Sequence, residues 1–350
     1  MSENPAISNK NVRIQYIDAL RGFAMFLVVF VHVEIFGFFN FTHTTFLGKL
    51  FSAIHMPTFF FISGLCIYKS GVYYTYSRVH NDFMRLILPA AIVGLTYTYL
   101  CVNQDLIYFL SNSMKAGYWF TVSLFEVLLI YYVIYNLTRS KINLFVPVLC
   151  LIAVLLYLLK LPLKIFPKAE IIGNYLCLHQ TCNYFIFFVL GVFFKKYNQA
   201  IHRLLKTKWF TAIVILILCM SSYYIFCVEL GISGTIGKII ETVGETVIGL
   251  SGALLLYIVF DFYKDKFDSS NFIGKCLISI GKNTLPIYLL HYFFLPHLPS
   301  IGNFLKANPN SIVELLIGML LSLFVILVSI IITKVFRISP FMSKLILGDK

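Results

Sequence analysis

Long apolar runs recur from one end of this 350-residue sequence to the other, at a length and frequency that no soluble fold needs. A helix crossing the hydrocarbon layer requires roughly 20 mostly apolar residues. Ten segments of that kind can be marked, at 16–38, 50–68, 83–102, 118–137, 143–160, 176–194, 209–228, 239–260, 278–297 and 311–334. Each is continuously apolar rather than alternating, which predicts helices and not barrel strands. Charged residues make up only 12% of the chain, about half the share a soluble domain uses to solvate its surface. The expected fold class is therefore all-α: a polytopic transmembrane helical bundle of about ten spans, forming a single domain over 1–350. Residues 1–15 are polar and lead into a full-length span without an Ala-x-Ala site, so they are expected to be a cytoplasmic N-terminus rather than a removable signal. Residues 338–350 are expected to form a cytoplasmic tail.

Basic residues set the orientation. With the N-terminus inside, 21 of the 28 Lys and Arg residues fall on the cytoplasmic side, among them Lys10, Arg13, Lys195, Lys196, Arg203 and Lys350. The positive-inside rule then predicts both termini in the cytoplasm. Lys160, Lys164 and Lys168 run against the trend, on one outer loop. The net charge of +13 calls for no nucleic acid partner, because basic loops facing anionic lipid account for it.

Little else in the sequence carries chemistry outside the spans. The eight cysteines are scattered and mostly intramembrane, where thiols behave as small hydrophobes. The string from Cys177 through His179 to Cys182 lacks the spacing of a zinc module, so no metal site is expected. Ionisable groups within spans are costly and are functional candidates by default. On the first span, Arg21 and His32 are eleven residues apart, about 20° of angular offset, and Asp18 lies about 40° from His32 in the other sense. One helix face thus carries Asp18 and Arg21 near the cytoplasm and His32 in the outer half. Asp18 and Arg21 also suit a plain interfacial charge pair, whereas His32 is too deep to snorkel. Counted at about 1.5 Å per residue, His32 and His55 each lie roughly 7 Å outward of the midplane, His291 a few Å outward, and Glu126 close to it. Four titratable groups from separate spans could face one cavity, although each alone could be a satisfied interhelical hydrogen bond. Arg21, Arg78, Arg85 and Lys282 sit near inner helix ends, where cations suit a phosphorylated cytosolic ligand or simply anchor the helices.

These residues fall within longer strings. Segments IDALRGFAMFLVVFVHV, FSAIHMPTFFFISGLCIYK, RLILP, YWFTVSLFEVLLIYY and IGKNTLPIYLLHYF follow one another in order over positions 13–294. Together they resemble the integral-membrane acyltransferase family of bacterial sugar O-acetyltransferases, most closely its fucose 4-O-acetylase-like branch. The resemblance rests on Arg21 and His32 behind Asp18, on His55 to Pro57 with Ser63 and Gly64, on Arg85 to Pro89, on Trp119 and Phe120, and on Gly281, Asn283, Tyr288 and His291. One position departs: many members carry a basic residue three places before the Arg of RxxxP, where this chain has Asp82.

The resemblance implies a multi-pass enzyme of the bacterial inner membrane. It would move acetyl from cytosolic acetyl-CoA, a co-substrate rather than a bound cofactor, to a hydroxyl of a cell-envelope or exported polysaccharide sugar or its lipid-linked precursor. It implies His32, His55, His291 and Glu126 in catalysis, with Arg21, Arg85 and Asp18 at the donor. Ser63, Trp119, Asn283 and Tyr288 would be acceptor or structural positions. A His that accepts the hydroxyl proton and later protonates the thiolate is the chemistry such a site needs. The intramembrane histidines taken alone fit a proton-coupled transporter or flippase of a lipid-linked sugar equally well.

Overall fold

The computed structural model describes residues 14–40, 45–165, 167–228 and 234–349; Lys10, Arg13, Lys350 and most of the polar N-terminal stretch lie outside them. Regular structure among the described residues is helical throughout. Helix α1 (Gln15–His32) continues into a π-helical turn, Val33–Gly37. It is followed by α2 (Phe46–Ile67), α3 (Tyr76–Leu100), a short α4 (Leu106–Ser111), α5 (Trp119–Thr138) and α6 (Ile142–Ile165). Next come α7 (Pro167–Leu176), α8 (Leu178–Lys196), α9 (Asn198–Leu205), α10 (Lys208–Cys227) and α11 (Gly234–Phe262). The last part comprises α12 (Phe272–Lys282), α13 (Thr284–Leu290), a 3-10 turn at His291–Phe294, α14 (Pro299–Ala307), α15 (Ser311–Phe336) and α16 (Pro340–Leu347).

Among the described residues, seven helical stretches are long and apolar enough to cross a membrane, or eight if α7 and α8 form one bent span. One of the seven, Trp119–Lys160, is 42 residues long. At 1.5 Å per residue that is about 63 Å, twice a hydrocarbon layer of roughly 30 Å. A 3-10 turn at Arg139–Lys141 divides it, and α5 packs alongside α6, so the segments expected at 118–137 and 143–160 are both accommodated there.

Two expectations need correction. The span at 176–194 does not start straight: α7 meets α8 at a 60° bend, where Cys177 takes a left-handed φ of 54°. The segment at 278–297 is not one continuous helix. It breaks at Asn283 (φ −111°, ψ 21°) into α12 of 11 residues and α13 of 7. Pro286 in the first turn of α13 has no N–H to give the Lys282 carbonyl, and Asn283 turns its side chain to the Ser279 carbonyl at 2.8 Å instead. The stretch expected as a tail also holds a helix, α16, which packs against α3, α13 and α15.

Two helix crossings organise the bundle, α1 with α12 and α2 with α8. A Cβ on Gly22 would lie 1.9 Å from the Leu277 carbonyl oxygen, and one on Gly281 would lie 1.8 Å from that of Asp18. The pair Gly64 and Gly191 does the same for α2 and α8, each 2.0 Å from a facing carbonyl oxygen. Small residues at crossings let backbones touch where no hydrophobic drive separates helix from lipid. The consequence for the site is direct, since the α1–α12 contact sets Arg21 and Lys282 side by side at one end of the bundle. The interior around these crossings is aromatic, with Phe30, Phe60, Phe61, Tyr131 and Phe188 fully buried. Leu216 on α10 and Leu320 and Phe324 on α15 are exposed, as lipid-facing side chains should be. At the other end of α1, Thr45 and Asn40 donate to the buried carboxylate of Glu314.

Candidate active site

His32 is the last residue of α1, and His291 is the first of the 3-10 turn after α13. Their rings lie nearly parallel, with centroids 5.0 Å apart and His32 Nδ1 2.7 Å from His291 Nε2. The proton positions follow from the partners. His291 Nδ1 faces the Ile287 carbonyl oxygen at 3.0 Å and must donate to it, which leaves Nε2 as an acceptor in the neutral ring. His32 must then donate from Nδ1, which leaves its Nε2 with a free lone pair. Tyr292 Oη stands 3.2 Å from that lone pair and 3.3 Å from the Gly117 carbonyl oxygen, with one proton for either. His291 is fully buried and His32 only partly, so the ring carrying the free lone pair is the less enclosed of the two.

The wall behind the pair is built by the turn into α5. Gly117 has a φ of +103°, and a Cβ there would sit 2.3 Å from Tyr292 Oη. Glycine therefore permits both the backbone turn and the close approach of the tyrosine. The same carbonyl accepts from Tyr288 Oη at 2.7 Å, the Phe120 N–H donates to Tyr288 Oη at 3.2 Å, and Tyr118 Oη donates to the Leu289 carbonyl at 2.9 Å. The start of α5 is thus stitched to α13, which fixes the ring that follows.

A cavity of about 200 Å³ opens at the end of the bundle where α1 begins and α15 finishes. Arg21, Arg85, Lys282 and Arg337 line it, and Asp349 is the one acidic residue among its lining. Along α1 the lining residues are Arg21, Met25 and Val28, spaced four and three apart on one stripe, and His32 is the next residue of that stripe. Tyr288 lines the cavity from α13, one turn before His291. The cavity stops about one helical turn short of the histidines. From Arg21 to His32 the rise is about 16 Å.

The sequence-predicted residues divide accordingly. Arg21, Arg85, Ser63 and Tyr288 line the cavity. Asp18 is buried and sits 3.6 Å from Arg21, steadying it from behind. Arg85 makes no hydrogen bond or ion pair among the described residues, so its guanidinium is available. Arg78 is not: Asp82 holds it at 2.9 Å, and Tyr132 Oη donates to the same carboxylate at 2.6 Å. The departure at Asp82 thus removes one cation from the mouth and leaves Arg85 in it. Ser63 spends its hydroxyl on the Phe59 carbonyl of its own helix, at 2.8 Å. His55 is buried with Nδ1 3.0 Å from the Phe51 carbonyl oxygen, on α2, which packs against α1.

Two residues are placed elsewhere. Glu126 does not join the histidines: it accepts from Thr181 Oγ1 of α8 at 2.5 Å, on the far side of α5. Similar depth along the spans said nothing about which way α5 turns it. Trp119 stacks on Tyr184, with centroids 5.3 Å apart, and belongs to the aromatic packing. Asn283 accepts from Arg337 Nη1 at 2.7 Å and so acts at the cavity mouth. Four residues of the site carried no signal used above: Gly117, Tyr292, Arg337 and Asp349. Tyr292 adjoins His291 within a quoted string and could have been found there. Asp349 lies in the stretch taken for a tail and Arg337 just before it, and neither could.

The model of a family described as an acyltransferase domain matches residues 14–334, which takes in both histidines and every cavity cation except Arg337. No curated protein and no solved structure matches the chain. A hydrogen-bonded histidine pair with a free ring nitrogen, set above a cationic cavity, is a constellation that acyl transfer can use, and it lies inside the matched region. With more than nine-tenths of its length covered, the chain belongs to this acyltransferase family and is a multi-pass membrane protein.

Proposed function

We propose that this membrane acyltransferase moves acetyl from cytosolic acetyl-CoA to a hydroxyl of a cell-envelope or exported polysaccharide sugar, or of its lipid-linked precursor, in a bacterial inner membrane. The observation that carries the proposal is the stripe on α1, where Arg21, Met25 and Val28 line the cationic cavity and His32 follows. A guanidinium grips phosphate by paired charge-assisted hydrogen bonds. Arg85 and Arg21 would hold the donor's phosphates at the mouth, and an extended pantetheine arm would carry the thioester up the stripe. His32 Nε2 then accepts the proton of the acceptor hydroxyl as its oxygen attacks the thioester carbonyl. The C–S bond breaks, and the same proton passes from His32 to the departing thiolate. His291, accepting from His32 Nδ1, holds the ring in the tautomer this needs and stabilises the transient imidazolium. His55 is assigned to orienting the acceptor. Glu126, bonded to Thr181, is left out of the reaction.

This scheme needs the cavity mouth in the cytoplasm and a chain of ten crossings, with Trp119–Lys160 counted twice and the bent α7–α8 pair and the broken α12–α13 stretch as one each. Reporter fusions should place residues 1–12, 196–208 and 340–350 inside and residue 112 outside. A C-terminus found outside would overturn the orientation. For the activity itself, purified protein in detergent or nanodiscs should release CoA thiol from acetyl-CoA, faster when envelope glycan is added. Transport of a lipid-linked sugar in vesicles with no thiol release at all would instead make the histidines a proton relay.

A further inference from the structure

Asp349 stands out in the cavity mouth as the one carboxylate among four cations. Its two oxygens take the Arg337 fork, Nε at 2.8 Å and Nη2 at 3.4 Å. That two-pronged grip is the one a guanidinium offers a phosphate. Arg337 is aimed from the other side by Asn283, at 2.7 Å, so its planar group is already positioned when the carboxylate is on it. Burial raises the Asp349 carboxyl pKa, but hydrogen bonds from Arg337 and Ser343 outweigh that and hold it below the usual range, so it is anionic at neutral pH. The segment that delivers it is short and local. Ser343 Oγ donates to Asp349 at 2.7 Å, and Gly348 closes α16 in a left-handed turn (φ +66°). A Cβ on Gly348 would be 2.4 Å from the Arg85 carbonyl oxygen, so the strap lies directly against the helix turn that carries the unpaired guanidinium.

Resting on the donor site proposed above, we propose that Asp349 is a built-in stand-in for an anionic group of the donor. Its carboxylate occupies Arg337 in the empty enzyme, and a phosphate of the donor displaces it, freeing the 340–349 strap. Arg337 thereby becomes a third donor ligand beside Arg21 and Arg85. Arg337 and the strap follow residue 334, where the family match ends, so this device is a property of the chain rather than of the family model.

The test is a titration of purified full-length protein with two probes, acetyl-CoA and inorganic pyrophosphate, at fixed low salt. Asp349→Asn keeps the shape and removes the charge, and it should tighten both affinities by about fivefold to tenfold, because less of the protein is self-occupied. Arg337→Gln should weaken both, and in the Arg337→Gln background Asp349→Asn should have no further effect. Hydrogen exchange in residues 340–349 of the unmodified protein should rise when either probe is added, a readout that needs no variant. If acetyl-CoA binds the unmodified protein but Asp349→Asn leaves both affinities within twofold, the stand-in is wrong. It is equally wrong if the strap becomes more protected on binding. If acetyl-CoA binds neither protein while pyrophosphate still binds the Asp349→Asn variant more tightly, the stand-in holds and the donor assignment falls.

Discussion

Purified protein carrying His32→Ala should lose acetyl transfer by about 10²- to 10⁴-fold, the usual cost of removing a general acid and base, while expression, thermal stability and acetyl-CoA binding stay close to those of the unmodified chain. The split is expected because His32 lies beyond the cavity lining and, among the described residues, makes its polar contacts with His291 and Tyr292. His291→Ala should give a smaller loss. The base would remain, but its Nδ1 proton would have no acceptor, and the ring could turn. Rate should fall further than donor affinity in both variants. If His32→Ala transfers acetyl within tenfold of the unmodified protein, another residue is the base and the proton route through Nε2 is wrong; His55 is then the next candidate.

Arg85→Ala should weaken acetyl-CoA binding by roughly 10- to 100-fold, corresponding to a lost charge-assisted hydrogen bond of about 1.5–3 kcal/mol. Arg78→Ala, seven residues earlier on the same helix, should change it little. The difference lies in who already holds each guanidinium. Arg78 is spent on Asp82 and Tyr132, whereas Arg85 lines the cavity without a hydrogen bond or ion pair among the described residues. Calorimetry or equilibrium dialysis on the two variants decides it, and equal donor affinity in Arg85→Ala and the unmodified protein would take Arg85 out of the site.

Hydropathy made the helical class legible because lipid leaves a backbone few other ways to satisfy itself. It could not locate breaks, since a break depends on one or two residues. Asn283 and Pro286 interrupt the stretch between α12 and α13, and neither changes the mean hydropathy of the segment much. The histidine pair was partly legible. Angular spacing placed His32 above Arg21, and depth placed His291 near the same level, where the two rings do meet at 2.7 Å. The same bookkeeping brought in Glu126 wrongly, because depth fixes a height and not a bearing, and Thr181 lies on a different bearing from His32. Arg337 and Asp349 were hidden for another reason. A polar stretch after the last span looks alike whether it trails in water or folds back, and only the contacts of α16 distinguish the two.

The glycine contact between α1 and α12 has a mechanical consequence. With Gly22 and Gly281 seated on opposing carbonyls, neither helix can slide or roll past the other without a clash. Asp18, Arg21 and Lys282 therefore ride on one stiff beam, and His32 is mounted at the far end of the same α1 rod. The distance between the proposed donor grip and the proposed catalytic ring is consequently a fixed ruler. Motions that admit substrate must come from the walls facing that beam, where α3 carries Arg85 and α16 leans on it, and a bulky side chain at either glycine would change the length of the ruler before it changed the chemistry.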